Sequence, residues 1–178
     1  MNNYAINNFF QEARKVFKYL EDDFGYKFAS SPVENVEFYP DTIAVVRYVS
    51  TKIGIEVYWY FASAVISVAL IELLKENEFP NKRDFWGDNQ GEARAIKLQT
   101  LLDMIDKSDK LVLKKTRSTM MQDIKKRGKL IDKNLGAVLE NLARVLQDEA
   151  KDILLGDTSI FARVQKFESE LLKKEYPY

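Results

Sequence analysis

Between residues 4 and 23, apolar side chains recur at steps of three and four: Ile6, Phe9, Phe10, Ala13, Val16, Phe17 and Leu20. Such spacing predicts an amphipathic helix that buries one face and turns Gln11, Glu12, Arg14, Lys15 and Lys18 to water. Gly25 supplies its stop, because glycine accepts the left-handed conformation that ends many helices. From Tyr26 the period falls to two, and β-branched and aromatic residues dominate as far as Leu74. Four strands are expected, over residues 33–39, 42–50, 53–61 and 64–74. Their connections are too short for crossovers, so the strands form an antiparallel meander. On the third strand Ile53, Ile55, Val57, Trp59 and Phe61 alternate with Gly54, Glu56, Tyr58 and Tyr60. The first set predicts a helix-covered face and the second a wetter face that carries the tyrosines.

Residues 75–91 combine a proline, two glycines, three asparagines and dense charge, which marks the main irregular connection. Phe79, Phe85 and Trp86 are expected to pin it to the body. Beyond Gly91 the pattern is helical. A helix over 92–106 presents Ala95, Leu98, Leu101, Leu102 and Ile105, and Asn89 with Glu92 has the spacing of a capping box. A second helix, over 116–155, carries Ile124, Ile131, Leu135, Val138, Leu142 and Val145 as a stripe of coiled-coil type, with a break expected near Gly128. A last helix starts at Asp157 and carries Ile160, Phe161, Val164, Phe167, Leu171 and Leu172. The fold class is therefore α+β: an N-terminal helix, a four-stranded antiparallel meander, then three or four C-terminal helices. Residues 1–106 would form the helix, sheet and covering helix, and residues 107–178 a helical part packed on the same domain.

The chain has neither histidine nor cysteine. This excludes disulfides, zinc sites built on imidazole or thiolate, cysteine nucleophiles and histidine acid/base work. The 27 basic and 27 acidic residues balance overall but not locally. Residues 107–133 hold 10 basic and 3 acidic side chains, whereas the flanking parts are net acidic. A basic run without aromatic residues does not point to nucleic acid, where bases stack on rings; a contact surface for an acidic protein fits it better. The start of the chain has no secretory pattern, and the apolar stretch over 57–74 is interrupted by Ser63, Ser67 and Glu72. A cytoplasmic protein with no membrane segment is the simplest expectation.

Candidate chemistry is sparse. Asp84, Asp88, Asn89 and Glu92 could surround a hard cation, but the EF-hand spacing is missing, and turn and capping roles account for the same residues. Glu56 beside Tyr58 and Tyr60 could act as an acid or base on a sheet face, although no second carboxylate stands out. A divalent-metal hydrolase or transferase using Glu56, Asp84 and Asp88 is thus one reading. Another is self-association, as a homodimer, through the stripe from Ile124 to Val145. The seven glycines form no phosphate-binding loop, and no cofactor is implied. The reading that requires least is a non-enzymatic binding protein whose contact residues are Tyr58, Tyr60, Phe85, Trp86, Lys125, Lys126 and Arg127.

The segments running from Ile43 to Ser50, from Lys52 to Trp59 and from Ile153 to Phe161 carry a resemblance. In layout the chain resembles small uncharacterised bacterial immunity-like proteins associated with polymorphic toxins. That resemblance implies a protein without catalytic residues that occludes a toxin, and it implies no individual site residue.

Overall fold

The computed structural model describes residues 3–35, 42–80, 94–113 and 121–175. Two short helices open the chain, α1 (Asn3–Val16) and α2 (Tyr19–Asp22). They replace the single expected helix, because the chain turns at Phe17 and Lys18 and then resumes. Gly25, at a φ of +70°, ends the pair as expected, and the amide of Tyr26 donates to the carbonyl of Leu20 at 2.9 Å.

Among the described residues the sheet has six strands: β1 (Lys27–Ser30), β2 (Val33–Asn35), β3 (Thr42–Val49), β4 (Ile53–Tyr60), β5 (Val65–Glu72) and β6 (Ala95–Lys97). All pairings are antiparallel, in the order β1-β3-β4-β5-β6, with β2 paired to the other end of the same β3 edge. The strands β2 to β5 are the expected four-stranded meander, the first of them described only as far as Asn35 because residues 36–41 lie outside the described residues. Two additions were not expected: β1, whose four residues are too few for a clear alternation, and β6, which occupies what reads as the first turn of the 92–106 helix. Ile96 explains the second. It lies opposite Leu70 and is fully buried beside it on the sheet's inner face, so pairing there satisfies the backbone and the apolar side chain together. The expected helix is reduced to α3 (Leu98–Met104), and Asn89 and Glu92 lie outside the described residues.

Three helices follow: α4 (Met121–Glu149), α5 (Lys151–Leu154) and α6 (Ile160–Glu175). The irregularity in α4 falls at Asn134 (φ −140°, ψ 38°), and Gly128 sits in regular helix, which corrects the expected break. Asparagine tolerates departure from helical angles because its amide can bond locally to the backbone. Asp157 accepts the Ser159 amide at 2.8 Å just ahead of α6, and this hydrogen bond holds its carboxyl below the usual range.

One apolar cluster joins the inner sheet face to the helices. Val46, Ile55, Val57, Trp59, Val68 and Leu70 from the strands meet Phe9, Ala13, Phe17 and Leu20 from the N-terminal part. Ile131, Leu135, Val138, Leu142 and Val145 of α4, with Phe161 and Val164 of α6, complete the same cluster. The coiled-coil-like stripe from Ile131 to Val145 is therefore packed inside the chain. Among the described residues, no helix is long and apolar enough to cross a membrane.

Candidate functional site

Two regions collect the side chains that could act on something else: the outer face of the sheet and the first half of α4. On the outer face, strand alternation lines up residues 43, 45, 47 and 49 of β3 with 54, 56, 58 and 60 of β4. Arg47 lies directly opposite Glu56. Its Nε donates to Glu56 Oε1 at 2.8 Å, and its Nη2 donates to Glu34 Oε1 of β2 at 2.8 Å. One guanidinium thus ties three neighbouring strands. The Phe79 ring lies 5.0 Å from it, and a Cβ placed on Gly54 would come within 2.8 Å of that ring. The missing side chain at Gly54 is what lets Phe79 lie on the sheet.

This face is not the wet surface that alternation suggests. Glu56 is 2 % exposed and Tyr58 is 7 % exposed. Tyr58 packs edge-on against Tyr60, with centroids 5.3 Å apart, in a small cluster with Ile43, Val45 and Ala69. Burial raises the Tyr58 phenol well above its ordinary pKa. Tyr58 is therefore largely covered, and Tyr60 is half-buried beside it. The second carboxylate that a glycosidase-like reading would need is present as Glu34. Both acids are held by the same arginine, an arrangement that clamps strands together and leaves Glu56 without a route to solvent. Asp84 and Asp88, the other acids of the hydrolase reading, lie outside the described residues, as do Phe85 and Trp86. No group of three acidic side chains placed to hold a metal ion occurs among the described residues.

The basic half of α4 is different. Lys125 and Lys126 are exposed, as expected, and so are Lys129 and Lys133. None of the four has an acidic partner among the described residues. Arg127 departs from the expectation. It is half-buried, and its Nη2 donates to the carbonyl of Ser63 at 3.2 Å, fastening the helix to the turn between β4 and β5. It anchors the helix instead of presenting charge.

Beside this helix runs an open cleft of about 340 Å³. Lys126, Arg127, Leu130 and Asp123 form one wall, and Leu111, Val112 and Leu113 form the other. The second wall is irregular chain and needs a tie. Asn141 provides it: its Nδ2 donates to the carbonyl of Lys110 at 2.9 Å, and its Oδ1 accepts the amide of Val112 at 2.9 Å. Lys107 and Lys110 also both donate to the Glu149 carboxylate at the far end of α4. Two features here are not apparent from the sequence alone. Asn141 sits within an otherwise apolar helix face, a polar interruption that marks a side chain bonded to something specific. Val112 and Leu113 lie in a short run with no readable period.

Comparison of the chain with known protein families, with curated proteins and with solved structures finds no match in any of the three.

Proposed function

We propose that this protein acts by binding another protein and not by making or breaking bonds. The observation that carries this reading is the cleft beside α4, where apolar walls stand next to lysines that no acid of the described chain neutralises. Apolar surface supplies affinity, and unneutralised charge steers encounter and selects the partner. The outer sheet face argues in the same direction, since its most chemically suggestive carboxylate is committed to Arg47. Occlusion of a toxin, which the resemblance to immunity-like proteins implies, is one form such binding would take.

The test is affinity capture from native cell extract with the tagged full chain, beside a Val112→Asp, Lys126→Glu double variant. Val112 and Lys126 are both exposed, so the substitutions leave the core intact. A stoichiometric protein retained by the parent chain and lost by the variant supports the reading. Recovery of no protein, or of the same protein with the variant, counts against it.

A further inference from the structure

Resting on that reading, the geometry points to a definite occupant: we propose that the cleft beside α4 takes an acidic amphipathic helix of a partner protein. Over residues 121–133, Asp123, Lys126, Arg127 and Leu130 face the cleft. Steps of three and seven from Lys126 then put Lys129 and Lys133 beside it, on the flank of the helix away from Arg127. All three lysines are exposed. One side of the cleft is therefore a cationic ridge about two turns long. The other side, formed by Val112 and Leu113, is apolar, and Val112 is 59 % exposed.

A ligand that satisfies both sides must offer apolar groups and carboxylates in parallel rows. An amphipathic helix does this through its own three- and four-residue spacing. A polyanion without apolar groups would leave Val112 and Leu113 uncovered. Nucleic acid in particular finds no aromatic ring among the cleft's described walls on which a base could stack. Asp123 is the only acid among the described lining residues, at the start of α4, and it would set the direction of the incoming helix by repelling its most acidic end.

The experiment uses the full chain and a short fluorescent peptide with leucines on one helical face and glutamates on the other, followed by anisotropy. A peptide with lysine in place of glutamate and a heparin fragment serve as controls. The expected result is saturable binding of the glutamate peptide that weakens as salt rises. Lys126→Glu with Lys129→Glu, and separately Val112→Asp, should each weaken it by roughly tenfold or more. The lysine peptide should not bind, and heparin should not displace the glutamate peptide at equal concentration. Absence of binding at millimolar peptide overturns the proposal. So does equal binding by the variants, or displacement by heparin, which would make the site a general anion surface. If the peptide fails while the Val112→Asp, Lys126→Glu variant still loses a captured partner, the occupant is wrong and the binding function stands. If both fail, both are wrong.

Discussion

Arg47 and Glu56 face each other across the β3–β4 pair, joined at 2.8 Å, with the glutamate buried and the arginine half-buried. Their relationship sets how the outer sheet face must be interpreted. A buried ion pair contributes little net stability against apolar residues of the same shape, yet breaking one half of it leaves a charge in a medium that cannot solvate it. Arg47→Met should therefore cost about 3–5 kcal/mol, measured as the loss in unfolding free energy by urea titration. Replacing the arginine and both acids together, as Arg47→Met, Glu56→Leu and Glu34→Leu, should recover most of that loss. Equal losses for the single and triple variants would show that the charges are not coupled.

Gly128 is expected to be replaceable with a gain. It occupies regular helix, and an added Cβ would meet only the Ala64 methyl, at an ordinary contact distance of 3.8 Å. Glycine inside a helix costs about 1 kcal/mol relative to alanine, because the unfolded chain has more freedom to lose. Gly128→Ala should raise the unfolding free energy by about that amount. A loss would mean that the helix meets the β4–β5 turn more tightly than this contact indicates.

Asn141 should matter for the cleft more than for the core. Asn141→Leu removes both ties to the 110–112 segment, at a cost of about 0.5–1.5 kcal/mol for each hydrogen bond lost, because Lys110 and Val112 are exposed and their freed backbone groups can turn to water. The local effect discriminates better than the global one. Hydrogen exchange at the Val112 amide should accelerate far more than at amides in β4, and glutamate-peptide binding should weaken with it. Unchanged protection at Val112 would contradict the assignment of Asn141 as the residue that positions this wall.

Acid should weaken the fold through two carboxylates. Hydrogen bonds from Arg94 hold the Glu72 carboxyl below its ordinary 4.5, and those from Lys107 and Lys110 do the same for Glu149. In both cases the folded pKa is lower than the unfolded one. The stability they contribute is full above about 4.5 and is lost as pH falls through the lowered folded values. The urea midpoint should fall between pH 5 and about pH 3, and Glu72→Gln with Glu149→Gln should flatten that fall. An equally steep fall in the double variant would assign acid sensitivity to other groups.

Much of the meander was legible because hairpin register follows from connection length. Pairing Ser50 with Ile53 across the turn already places Arg47 opposite Glu56, so this pair could have been read by counting along two strands. Its burial could not, because alternation reports that one face is less apolar and not whether something covers it. Tyr58, 7 % exposed on the face that alternation marks as wetter, shows the difference. The α4 stripe illustrates the opposite case: its spacing correctly indicates a packing face, but a partner on the same chain and a second copy satisfy that spacing equally well.

What the sequence alone determined is local: which stretches repeat with period two or near 3.6, where glycine turns the chain at residue 25, and which chemistry is closed to a chain without imidazole or thiol. What only the tertiary structure decided is which elements meet. The pairing of Ile96 with Leu70, the arginine shared by Glu34 and Glu56, and the wall held by Asn141 join residues 9 to 31 positions apart. Periodicity is a property of one element, whereas a clamp or a cleft is a property of two, and their meeting depends on the burial and hydrogen-bond satisfaction of the whole fold.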